Sequence, residues 1–233
     1  MNKLEMKNQT LIASHAVLAG MTRFIPVPFV DDVVQSYVLR RLIRRLAESY
    51  GVSLGDDDAA TLGTEPNSGC GGCVLSAVIY PLKWVLRKIF IFLEMKRAAD
   101  LLSRVYHRGF LVEYAIQQKW VGADSGRSAA DVRSAIDDVL REAPIRPVEE
   151  AAKLTFRQFT GPFKSAVRLL RSASRRLTRE SSPDDVETVL ETLPEAEKKQ
   201  FDGLVASLVG RINAIPSDHF DSLRNALDKR MSQ

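Results

Sequence analysis

Few residues in this chain can do covalent or metal chemistry, and their spacing limits what they can do. Cys70 and Cys73 sit in the run Ser68-Gly69-Cys70-Gly71-Gly72-Cys73. A CxxC pair can hold zinc or cycle between dithiol and disulfide. Zinc needs two further ligands, yet these are the only two cysteines, and His15, His107 and His219 are the only three histidines. A thioredoxin-like site needs a βαβ setting, and the flanking sequence does not alternate as strands do. Reversible acylation beside a membrane-facing helix is another use of such a cysteine. The glycines favour a plain loop, so no metal and no cofactor are expected. Asp56-Asp57-Asp58 offers hard oxygen ligands, but it lacks the DxDxDG spacing and distal Glu of a calcium loop. It reads as the acidic start of a short helix capped by Asp56. His15 reads as a packed or solvent-edge histidine. The sequence contains no P-loop, GxSxG, HExxH or Rossmann fingerprint, so an enzyme is not expected.

The sharper patterns are electrostatic. At about 100° per residue, Lys164, Arg168, Arg171, Arg175 and Arg179 fall within an arc of roughly 80°. Phe163, Ala166, Val167, Leu170, Ala173 and Leu177 fall opposite. This is a basic amphipathic helix. Such a helix either docks on a core with a solvated cationic face or meets an anionic membrane surface. Phosphate contacts are a weaker reading, because no nucleic-acid motif or interleaved aromatics accompany the charges. A second helix repeats the arrangement: Leu39, Leu42, Ile43, Leu46 and Tyr50 share one face, and Arg41, Arg44, Arg45 and Glu48 share the other.

Stepping along the chain, proline and glycine punctuate a series of helices. A first helix is expected over 4–22. Ile25-Pro26-Val27-Pro28-Phe29 then breaks it, since each proline pushes its predecessor out of the α region. Asp31 or Asp32 is placed to cap the next helix, and Gly51 to stop it. Residues 74–121 form a long helical stretch, broken or kinked at Pro81. From Trp84 to Leu93 apolar residues lie all round, with Lys83, Arg87 and Glu94 as a narrow polar stripe, which describes a central core helix. Spanning a membrane is disfavoured. A central Lys or Arg costs about 2.5–3.5 kcal/mol, while each Leu, Ile or Phe returns only about 0.3–0.6, so Lys83, Arg87 and Lys88 outweigh the gain. Residues 84–93 are therefore expected to be the most buried stretch. Further helices are expected over 128–143, with Val132, Ala135, Ile136, Val139 and Leu140 inward, and over 148–160, 183–193, 195–214 and 218–231. In the tail, Leu204, Val205, Leu208 and Ile212 make one stripe, and Leu223 and Leu227 another.

The stretch from Ala13 to Gly51 resembles a bacterial helical family of unknown function. Its members carry an I-P-x-P-x-x-D motif, alone or behind GTPase domains in membrane-associated proteins. It is also similar to the EcsC-type family, which has a comparable Asp-initiated helix ending at Tyr-Gly. Pro26, Pro28, Asp31, Tyr50 and Gly51 carry the resemblance. It implies a helical, membrane-linked, non-catalytic protein.

A chain of 233 residues is long enough to bury a real core, and 45% hydrophobic and 27% charged residues suit a globular protein. The net charge of +4 is unevenly placed. Residues 145–180 hold 9 basic and 3 acidic side chains, and residues 181–233 hold 6 and 10. Such asymmetry points to a polyanionic partner or to the two segments folding on each other. Two cysteines exclude a disulfide framework and suit a reducing cytosol. The expected architecture is an all-α multi-helix bundle with a helical C-terminal extension: a body over 1–144, a basic segment over 145–180 and an acidic tail over 181–233. The expected role is non-enzymatic, that of a cytoplasmic protein peripheral to the inner membrane or a scaffold, with an anionic membrane surface or a protein, a second copy included, as partner. The alternatives are a purely protein-binding helical module and, behind it, a Cys-dependent metal or redox protein.

Overall fold

The computed structural model describes residues 7–23, 30–64, 87–158 and 194–232, with the side chains of 30–34, 87–93 and 197 excepted. Among these residues the regular structure is eight helices and no strand, the all-α architecture expected. They are α1 (Gln9–Thr22), α2 (Val30–Ser49), α3 (Asp56–Gly63), α4 (Arg87–Gln117), α5 (Ala129–Glu142), α6 (Arg146–Gln158), α7 (Glu195–Ile212) and α8 (Ser217–Met231).

The long α4 is the centre, touching α1, α2, α5, α6 and α8. From Leu101 to Ile116 only Arg104 is exposed and only Tyr114 half-buried. The apolar run expected to be the most buried stretch overlaps the first turns of α4. That run, 84–93, lies outside the described side chains, as does the kink expected at Pro81.

The tightest packing joins α1 to α4. Small residues make it possible: Gly20 on α1 lies against Ala98 and Leu102 of α4, and Gly109 on α4 lies against Ile12 of α1. A methyl on Gly20 would stand 2.9 Å from the Ala98 carbonyl oxygen, and one on Gly109 would stand 2.9 Å from Ile12 Cγ2. The expected inner face of α2 is buried at Leu39, Leu42, Ile43 and Leu46, with Tyr50 half-buried. The stripes of α7 and α8, Leu204, Val205, Leu208 and Ile212 with Leu223 and Leu227, enter the same core as the body.

Several helix ends differ from expectation for local reasons. Helix α2 begins at Val30, which puts Asp31 and Asp32 inside its first turn. There a negative charge still suits the positive end of the helix dipole. Helix α3 starts with all three aspartates in its first turn, but its cap is Gly55 and not Asp56. Pro147 does not separate helices; it sits in the first turn of α6, where its missing N–H would have no intrahelical partner anyway. Ser128 caps α5, its hydroxyl accepting from the Asp131 N–H at 3.1 Å. Leu154 of α6 is 45% exposed, whereas Phe156 is buried. Phe159 and the helix expected over 183–193 lie outside the described residues.

Two glycine substitutions separate close packing from helix propensity. Gly20→Ala forces α1 away from α4 and should lower stability by about 1–2 kcal/mol net of its better propensity. Exposed Gly210 has open space around it, so Gly210→Ala should raise stability by about 0.5–1 kcal/mol. Urea midpoints at constant slope measure both.

Candidate functional site

The cationic face of α2 is compensated from within the chain. Arg44 pairs with Asp56 in the first turn of α3. Arg45 lies 3.7 Å from Glu48, one turn along its own helix. Arg41 is half-buried. Exposed pairs of this kind contribute about 0–1 kcal/mol each, so they orient the arginines more than they hold the fold. The aspartate run is thereby accounted for as helix-start charge with an arginine partner. The larger cationic array, Lys164, Arg168, Arg171, Arg175 and Arg179, lies outside the described residues. So do Pro26, Pro28, Cys70 and Cys73, and the side chain of Asp31.

Tyr50 and Gly51 have clear tasks. Gly51 adopts φ +68°, the left-handed region where a side chain is disfavoured. Its N–H donates to the Glu48 carbonyl at 3.0 Å and the Val52 N–H to the Ala47 carbonyl at 2.9 Å, closing α2 with a Schellman turn. The Tyr50 hydroxyl donates to Glu113 Oε1 at 2.8 Å and accepts from Gln117 Nε2 at 2.8 Å. The same Oε1 takes the Asn8 backbone N–H at 3.2 Å and Asn8 Nδ2 at 2.9 Å. Glu113 is 1% exposed. Partial burial raises the Tyr50 phenol's pKa against the bond from Gln117, and Glu113 adds to the rise, so the hydroxyl stays a donor. The start of α1, the end of α2 and the C-terminal part of α4 are thus clamped on one carboxylate oxygen. Oε2 is buried and has no partner among the described residues.

A second polar centre joins α4 to α8. His107 Nε2 and His219 Nε2 are 3.0 Å apart. His107 Nδ1 lies 2.7 Å from the Ser103 carbonyl oxygen, which can only accept. His107 therefore carries its proton on Nδ1, and His219 donates from Nε2. The ring centroids are 5.3 Å apart, close to the fully extended value for two imidazoles meeting nitrogen to nitrogen. The lone pair and the N–H point at each other and do not converge on a common ion. Phe220 stacks near His107, with Tyr106 and Phe110 edge-on in the same cluster. Burial pushes the His107 pKa down to about 4, and burial also lowers that of His219, against the pull of Asp218. His15 is apart from this pair: it is packed within α1, with Nδ1 2.9 Å from the Leu11 carbonyl oxygen.

A third centre is an ion pair. Arg108, 2% exposed, donates to Asp137 Oδ1 at 2.5 Å and to the Leu62 carbonyl at 3.2 Å, and Arg133 completes the set at 3.3 Å from Asp137 Oδ2. It ties α4 to α5 and to the end of α3.

Glu113, the histidine pair and Arg108 were not legible as sites from the sequence. The available signal was polar residues interrupting an apolar helix, which implies buried partners without saying which. Among the described residues no group of three or more His, Cys, Asp or Glu side chains could hold a metal ion. The three centres of paired polar groups each hold helices together. No protein-family model matches this chain, and comparisons with curated proteins and with solved structures find no match. Removing the clamp's phenolic donor leaves a buried carboxylate less satisfied, so Tyr50→Phe should cost about 1–3 kcal/mol by chemical denaturation while the helical circular dichroism persists.

Proposed function

We propose that this chain is a non-enzymatic helical protein that meets anionic surfaces through the basic segment carrying Lys164, Arg168, Arg171, Arg175 and Arg179, working at the periphery of a membrane. The observation that carries this reading is a contrast in charge pairing. Across the described helices many cations have carboxylates beside them: Arg97 with Glu94, Arg104 with Asp100, Arg141 with Asp138, Lys153 with Glu149 and Glu150, Arg224 with Asp221, and Arg230 with Asp138 and Glu142. Residues 163–179 contain no Asp or Glu at all. Their charges need a counter-charge from elsewhere in the chain or from outside it.

Part of the acidic tail is committed elsewhere, while Asp184, Asp185, Glu187 and Glu191 lie outside the described residues. Asp221 pairs with Arg224, Asp228 accepts from the Tyr114 hydroxyl, and Asp218 accepts from the His219 N–H. An anionic bilayer supplies the charge without limit, and each basic residue near it contributes about 1 kcal/mol. Five give roughly 5 kcal/mol, acting over a Debye length of about 8–10 Å, which makes a reversible attachment. No described helix is long and apolar enough to cross a membrane, and the paired polar centres of α4 serve packing, which agrees with a surface role.

The triple change of Arg168, Arg171 and Arg175 to Glu reverses the local field with residues that still favour helix. It should leave thermal unfolding of the core in place and abolish co-flotation with vesicles rich in phosphatidylserine at low salt. If the opposite apolar face enters the interface, 0.5 M salt should release the wild-type chain only in part, and if that face packs on the protein, completely. Equal flotation of both proteins, or none by the wild type, would transfer the basic segment to an acidic protein partner.

A further inference from the structure

The histidine pair sits where a helix is fastened, and its proton arithmetic is unusual. Ser103 fixes the His107 tautomer twice over. Its carbonyl oxygen is 2.7 Å from Nδ1, and its hydroxyl, 3.4 Å from Nδ1, has its own hydrogen committed to the Ile145 carbonyl at 2.9 Å. His107 Nε2 is left as an acceptor only. His219, half-buried at the start of α8, answers as donor and keeps Nδ1 free to take a proton.

We propose that His107 and His219 form a one-proton latch, which holds α8 on α4 while the pair carries no added proton or one, and releases it when the pair carries two. The first proton goes to His219 Nδ1, near Asp218. The resulting cation still donates from Nε2 to His107, and the bond becomes charge-assisted. The second proton has only His107 Nε2 to go to. Two N–H groups then face each other at 3.0 Å, two positive charges in an apolar setting. Turning the His107 ring does not relieve this, because it gives up the bonds to Ser103.

The groups around the pair do not supply a remedy. From α8 they are Phe220 and Asp218, and Asp218 acts on His219 alone. From α4 they are Tyr106, edge-on, and the Ser103 carbonyl. Arg108 is turned to Asp137, Arg104 to Asp100, and Arg224 lies over Phe110 and Tyr114. The direction of the pH dependence follows. The His107 pKa is lowered in the folded chain, so its contribution to stability is full above the unfolded value of about 6.5 and is lost as pH falls from there through about 4. Release bares Phe220, Leu223, Leu227 and Met231, which are buried on one side of α8.

Hydrogen exchange by mass spectrometry across pH 7 to 4, corrected for intrinsic rates, tests this on the full chain. In the wild type, α8 amides should lose more than about tenfold protection between pH 6.5 and 4, relative to α5 amides. In His219→Gln the side-chain amide donates to neutral His107 and, once turned over, accepts from protonated His107. Its α8 should stay protected to within about threefold over the same range. His107→Gln accepts from His219 in either charge state and should behave alike. Should one variant not fold at neutral pH, the other makes the comparison. Unchanged α8 protection in the wild type, or loss at the same pH in both glutamine variants, overturns the latch and assigns any acid sensitivity to carboxylates such as Asp228 and Asp138.

Discussion

Burial of α4 around its circumference is the constraint on which the other elements depend. A helix with one wet face can leave its polar residues in water, but one enclosed by five others cannot. Ser103, His107, Arg108 and Glu113 all lie at 2% exposure or less. At such depth an unpaired polar group costs about 1–3 kcal/mol and an unpaired charge several, so Arg108, Glu113 and His107 each dictate that a particular second segment be present. Arg108 requires Asp137 on α5 and the last turn of α3. Glu113 requires the Tyr50 end of α2 and the Asn8 start of α1. His107 requires His219 on α8.

This division of labour explains why the connections between helices are specific. Apolar stripes alone would let α8 slide along α4, because Leu223 and Leu227 fit any apolar groove of the right width. The His219 contact at one end and the Tyr114–Asp228 bond, 2.8 Å, at the other fix its register. Arg230, reaching Asp138 and Glu142, then sets α8 against α5. The α1–α4 seam works differently, through shape: Gly20 and Gly109 permit an approach that leaves room for one arrangement only.

The helices, their inner faces and the stop at Gly51 were legible in the sequence, because each depends on residues within a turn or two of one another. The 3.6-residue period names Leu39, Leu42 and Leu46 as a face whatever the fold. Helix starts were read less well: Asp31, Asp32 and Asp56 are competent caps, yet they lie inside their helices, since an aspartate is as welcome in the first turn as at its edge. The buried centres were illegible for a different reason. His107 and His219 are 112 positions apart, and Asn8 and Glu113 are 105 apart. No local pattern links such residues. Tyr50 shows the intermediate case. It was visible as part of a Tyr-Gly ending, but its hydroxyl's destination was not, and that destination gives the tyrosine a physical reason to be there.

The charge distribution divides the same way. Several cations within the described helices are balanced by a carboxylate three or four residues away, which any amphipathic helix achieves without reference to the rest of the fold. A stretch of seventeen residues, 163–179, with no carboxylate of its own cannot be balanced so. Left in water it would repel itself, and each further arginine on the same face would weaken the helix that carries it. Residue types suited to helix, spaced to concentrate that charge along one side, are the pattern from which the proposed anionic surface is argued.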